Sequence, residues 1–125
     1  MWDAELDVVV AGAGGCGLVA ALAAAERDLE VGIFEKTEFI LGNTAASAGM
    51  IPAANTRFQK EAGIFETAED MAEDILKKNH YESDPVLTLA VCKESGRLIE
   101  WMVDSLNIEL SLVKEFKYPG QRNNR

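Results

Sequence analysis

An α/β fold, with a parallel strand–helix–strand core followed by helices, is predicted by three features of this 125-residue chain. An apolar run at residues 8–17, VVVAGAGGCG, ends in Gly12-x-Gly14-x-x-Gly17. A stretch of good helix formers, LVAALAAA, occupies residues 18–25. A second strand-like run, LEVGIFE at residues 29–35, ends in an acid, Glu35, eighteen positions after Gly17.

The valine-rich residues 6–11 have the length and composition of a buried parallel strand. In the turn that follows, the first glycine permits a tight exit from the strand. The second lets the backbone approach a pyrophosphate, and the third lets helix and strand pack closely. Free N–H groups and the dipole at a helix start favour phosphate charge there. Between helix and second strand, Glu26-Arg27-Asp28 supplies a polar stop, with Asp28 able to adopt the left-handed conformation. Glu35, at the end of the second strand, is placed to accept hydrogen bonds from ribose hydroxyls. Glycines recur by chance in small-residue loops, so the motif alone is weak, but strand, turn, helix, strand and acid agree in order and spacing. The arrangement predicts a dinucleotide seated on a helix start.

Residues 8–25 carry no charge over a length that just reaches the spanning range. Four glycines within six residues and the acids Asp3, Glu5 and Asp7 ahead of them argue against a transmembrane segment or a signal peptide. A net charge of −9, with no basic stripe, disfavours nucleic acid and anionic lipid. The two cysteines, Cys16 and Cys92, have no metal-ligand spacing and suggest no disulfide framework, which implies a reducing, cytoplasmic setting. With one histidine, His80, the chain holds no histidine-based triad or metal cluster of its own. Beside Lys77 and Lys78, it reads as a solvated residue at a helix end.

Residues 37–55 follow neither helical nor strand periodicity and contain GNTAASAGMIPAAN from Gly42. Small side chains let a ligand lie against the backbone, and Asn43, Thr44 and Ser47 add donors and acceptors at close spacing. Two helices come next. Thr67-Ala68-Glu69-Asp70 resembles a capping arrangement, and Met71, Ala72, Ile75 and Leu76 form an apolar stripe. Glu66, Glu69, Asp70, Glu73 and Asp74 read as the solvated face. Asp84-Pro85 starts the second helix, which runs to about residue 106 with Leu98, Ile99, Met102, Val103 and Leu106 inward and Asn107 as its left-handed close. IELSLV at 108–113 alternates as a short strand, and Tyr118-Pro119-Gly120 reads as a turn in a basic terminal stretch.

Taken together, VVVAGAGGCGLVAALAAAE, Phe34-Glu35-Lys36, GNTAASAG from Gly42, Ser83-Asp84-Pro85 and Ile99-Glu100-Trp101 resemble the fumarate reductase and succinate dehydrogenase flavoprotein family, in particular its soluble members. The resemblance implies a Rossmann-like FAD-binding domain and noncovalent FAD, because covalent members carry a histidine where this chain has Asn43. It implies that Gly12, Gly14, Gly15, Cys16 and Gly17 surround the pyrophosphate, with Glu35 on the adenosine ribose and Lys36 near the adenosine end. Asn43, Thr44, Ser47, Ala48 and Gly49 would lie near the remaining pyrophosphate, ribityl chain or ring. On this reading residues 1–125 are the N-terminal part of the domain. The sheet is incomplete without later strands, and both the substrate-capping domain and the catalytic residues lie outside these positions.

The implied chemistry is hydride exchange between flavin and an activated C–C bond of an organic acid. A 3-ketosteroid-dehydrogenase-like enzyme, whose N-terminal segment is similar, and a non-catalytic flavin-binding module are the alternatives. NAD is disfavoured by GNTAASAG, since the glycine turn and acid alone serve both cofactors.

Overall fold

The computed structural model describes residues 2–40 and 42–125, which fall into two compact units, residues 1–50 and 51–125. In the first, strand β1 (Val8–Ala11), helix α1 (Gly15–Ala25) and strand β2 (Val31–Phe34) form the expected βαβ unit. The strands are parallel, with Val8 opposite Val31 and Ala11 opposite Phe34. Each is shorter than its apolar run, because only four residues of each enter the ladder. Val10 and Ala21 are buried between strand and helix, where the branched side chain and the small one permit close packing. Helix α1 stops where Asp28 takes a φ of 59°, and Leu29 N–H reaches back to the Ala24 carbonyl at 3.4 Å. A short polar side chain tolerates that left-handed step better than a bulky one.

The second unit is helical: α2 (Arg57–Glu61), α3 (Ala68–Lys78) and α4 (Pro85–Asp104). Its core is Ala54, Met71, Ala72 and Cys92, with Ala68, Ile75 and Leu89 packed against it. Thr67 and Asp70 form a reciprocal capping box at the start of α3. Asp84 accepts from the Val86 and Leu87 amides ahead of Pro85, fixing the start of α4. Asn107, at a φ of 52°, turns the chain out of α4 so that Ile108 N–H meets the Met102 carbonyl at 3.1 Å. Near the middle of α4, Gly96 lies under the 53–55 loop, where a Cβ would stand 2.5 Å from the Ala54 carbonyl oxygen. Ser95, one residue earlier, accepts from the Ala54 amide and donates to the Cys92 carbonyl.

Three expectations change. Helix α2 is additional, and its signal was present as Thr56-x-x-Gln59, which forms a capping box of its own. Residues 108–113 form no strand. Alternation supplies a two-faced strand only where a neighbour takes its backbone hydrogen bonds, and this segment joins no ladder. The acidic residues on and just ahead of α3 are not wholly solvated: Glu66 is 3% exposed and Asp74 7%. Arginines from the far end of the chain reach them, with Arg125 at 2.6 Å from Glu66 and 2.7 Å from Asp74, and Arg122 at 2.9 Å from Asp74. Burial works to raise the Asp74 carboxyl, but hydrogen bonds from the Arg122 amide and from both guanidinium groups outweigh it and hold the group below its usual range.

Among the described residues, no helix is long and apolar enough to cross a membrane. The Gly96 packing carries a test. Gly96→Ala sets a methyl against backbone that cannot rotate aside, and should destabilise the second unit by about 1–3 kcal/mol, measured as a lowered urea midpoint.

Candidate functional site

The glycine turn lies at the carboxyl end of β1. Gly12 has a φ of 101°, open to glycine and costly for other residues, and its N–H donates to the Phe34 carbonyl at 2.8 Å, tying the turn to β2. At Gly17 a Cβ would fall 2.0 Å from the Gly12 carbonyl oxygen and 3.1 Å from a Val10 methyl. That is the close helix–strand approach expected of the third glycine. At Gly12 and Gly14 a Cβ would meet no atom within 4 Å, so the backbone here borders open space. Helix α1 begins beside that space with Gly14 as its N-cap and no side-chain cap. Its first-turn amides, those of Gly15, Cys16 and Gly17, have no intrahelical acceptor, because no residue precedes them by four within the helix.

Glu35 joins this turn directly. Its Oε2 accepts from the Ala13 amide at 2.9 Å, and its Oε1 accepts from the Thr37 amide at 3.2 Å and lies 3.1 Å from the Thr37 hydroxyl. The Ala13 bond, then those from Thr37, hold the carboxyl below the ordinary glutamate value. The small-residue segment also closes on the turn. Gly42 stands 3.9 Å from Gly14 Cα, measured from the position of a Cβ, and Thr44 packs against Gly15 so tightly that a Cβ there would lie 2.7 Å from Oγ1. The segment is itself a turn, with Ala46 N–H on the Gly42 carbonyl and Ser47 N–H on the Thr44 carbonyl. The Ser47 hydroxyl donates back to the Thr44 carbonyl at 2.8 Å and accepts from the Gly49 amide.

The structure therefore brings Gly12, Gly14, Gly15, Gly17, Glu35 and Thr44 together. Cys16, Lys36, Asn43, Ser47, Ala48 and Gly49 are exposed, with Ser47 and Gly49 engaged in the Thr44 turn. Two contributors went unrecognised in the sequence. Ala13, an x position of the motif, supplies the amide that orients Glu35, and Thr37 holds the other carboxylate oxygen. Thr37 had a legible signal, a hydroxyl residue two positions beyond the acid, whereas nothing in an alanine marks its amide.

Open space at two glycines, an uncapped helix start and an adjacent carboxylate fit a ligand that joins a phosphate to a ribose. The fold and site thus define a dinucleotide-binding βαβ unit. The FAD binding domain family matches residues 7–123, and the chain belongs to that family. It is 39% identical over 99 residues to urocanate reductase of Eggerthella lenta, a match covering 79% of this chain and 16% of that protein. A flavocytochrome c3 fumarate reductase in its open conformation superimposes with a TM-score of 0.84 and 31% identity, covering 96% of this chain and 21% of that one. The 3-ketosteroid-Δ4-(5α)-dehydrogenase of Rhodococcus jostii RHA1 gives a TM-score of 0.72 and 32% identity, covering 83% of this chain and 22% of that one. The chain thus spans about a sixth of the length of the urocanate reductase it matches.

Gly17→Ala should cost about 1–3 kcal/mol of stability or prevent folding, whereas Gly14→Ala, at a φ of −71° and facing open space, should stay within about 0.5 kcal/mol of wild type by chemical denaturation. The Glu35 carboxyl is depressed in the folded state, so its contribution is present above the ordinary glutamate value of about 4.5 and is lost as pH falls through the folded value. Thermal melts between neutral and acid pH should show a steeper acid decline in wild type than in Glu35→Gln.

Proposed function

We propose that this chain is the FAD-holding part of a flavoprotein oxidoreductase that reduces or oxidises an activated C–C bond, with an organic acid as substrate and FAD bound noncovalently. The observation that carries this reading is the convergence of Gly14, Gly15, Glu35 and Thr44 at one helix start. The names of the urocanate and fumarate reductases supply the substrate class, and the fumarate reductase is also the fuller structural match of the two solved proteins.

In this reading the first-turn amides, those of Gly15, Cys16 and Gly17, hold the pyrophosphate, and Gly14 keeps the approach clear of a side chain. Glu35 Oε2, which takes one bond from Ala13, has capacity left for a ribose hydroxyl, while Oε1 is occupied by Thr37. Thr44, fixed against Gly15, presents its hydroxyl beside the same phosphates. Lys36, Asn43, Ser47, Ala48 and Gly49 line the remainder of the cofactor. Bound FAD supplies a hydride donor and acceptor; these residues bind it and orient it. The proton donor and the groups that polarise the substrate belong to parts of the enzyme beyond these residues, including a substrate-capping domain.

Gly14→Ala separates binding from folding: it should weaken FAD binding by about tenfold or more in a flavin-fluorescence titration while leaving the denaturation midpoint in place. The enzyme containing this chain should be yellow. Acid precipitation should release its flavin into the supernatant, because Asn43 stands where covalent relatives carry a histidine. Dithionite should bleach the absorbance, and fumarate or another enoate should restore it. A protein that retains no flavin rejects the proposal. Flavin that responds to a 3-ketosteroid and not to carboxylates would favour the second reading, which the similarity to the Rhodococcus dehydrogenase supports.

A further inference from the structure

The buried charges of the second unit lie outside the cofactor site and organise a different part of the chain. Beyond α4, residues 108–125 contain no helix or strand. None of them belongs to the apolar core of the unit, which is built from the 53–54 loop, α3 and α4. Among the described residues their ring contact is Phe116 on Tyr118 at 4.8 Å, internal to the segment, and both rings are exposed. Beside a shallow groove that Tyr118, Pro119 and Gly120 share with Ile75 and Lys78, polar side chains supply the hydrogen bonds of the attachment. Asn124 draws the segment into a bend by donating to the carbonyls of Val113, Lys114 and Phe116. Gln59 of α2, fully buried, donates to the Asn124 carbonyl and to Glu66. Arg122 and Arg125 then meet Asp74 and Glu66, and Arg122 also pairs with Asp70.

The balance of this cluster makes the attachment conditional. Closed, Arg125 and Glu66 are withdrawn from water, with side chains 1% and 0% exposed, and their mutual bonds replace hydration. With Glu66 neutralised, Arg125 keeps only Asp74, which it shares with Arg122, so the buried cation is under-compensated, which favours return to solvent. Because the apolar core contains no residue of the segment, that return need not disturb α3 or α4.

We propose that Glu66 and Asp74 form a carboxylate latch that fastens residues 113–125 to α2 and α3, and that this segment releases as a unit, with α3 and α4 still folded, when the latch loses its charge.

Hydrogen–deuterium exchange on the intact protein at one fixed pH tests it. The reporter is the Arg122 amide, which donates to Asp74 at 2.9 Å. Glu66→Gln should raise exchange at that amide by about tenfold or more, and trypsin should cut faster after Lys114 and Lys117, while α3 and α4 keep wild-type protection. Arg122→Gln removes a guanidinium whose side chain is 38% exposed and should give a smaller rise in the same segment. Loss of protection in α3 and α4 together with the segment overturns the latch, as does an unchanged segment in Glu66→Gln. Should Glu66→Gln fail to fold, Arg122→Gln decides by the same two readouts.

Discussion

The fit of Gly17 under the Gly12 carbonyl is the constraint on which the first unit depends. With 2.0 Å between that oxygen and the place of a Cβ, no other residue lets α1 start so close to the end of β1. The approach has consequences in both directions along the chain. It requires the backbone to turn sharply after β1, which Gly12 does at a φ of 101°. It also sets the first amides of α1 beside the exit of the sheet, so that Ala13 N–H points at Glu35 and Gly15 offers a bare surface to Thr44. A helix start one residue further along would lose all three relations. The glycine spacing is thus a packing requirement first, and the capacity to hold a phosphate follows from the geometry it enforces.

Local rules accounted for most of what the sequence made legible. Asp28 and Asn107 take the left-handed conformations expected of helix stops, Asp84-Pro85 starts α4, and Thr67 with Asp70 starts α3. Each depends on neighbours within a few positions, where backbone geometry is nearly fixed by residue type. The meeting of turn and acid was legible for the same reason: a Gly-x-Gly-x-x-Gly turn and an acid at a strand end are local statements, and the parallel pairing of the two strands brings them together.

The errors arose where the deciding partner is distant or absent. Asp74 and Glu66 fall on the polar side of a legible helical stripe, and a polar side predicts solvent. Their burial is decided by Arg122 and Arg125, separated from them by 48 and 59 positions, and nothing in the spacing of α3 announces a partner so remote. The segment 108–113 shows the complementary case. Its alternation is real, but a strand is a relation between two segments, and an alternating pattern alone cannot provide the second.

The two units therefore spend their polar groups differently. In the first, glycines remove side chains so that backbone amides are available, and the one charged side chain at the turn is oriented chiefly by backbone N–H groups. Such a site depends on backbone position and tolerates no added volume at Gly17, though Gly14 has space. In the second, backbone groups of an irregular segment are gathered by Asn124 and Gln59, and its two arginines share the carboxylates of Glu66, Asp70 and Asp74. That arrangement tolerates changes of shape at its exposed rings but not loss of a single buried charge, since the Glu66 and Asp74 carboxylates together offset the desolvation of Arg125. Around the glycine turn, added volume at Gly17 should therefore be the most damaging change, and around the Glu66–Asp74 cluster the loss of a charge, a difference set by whether backbone or side chain supplies the decisive hydrogen bonds.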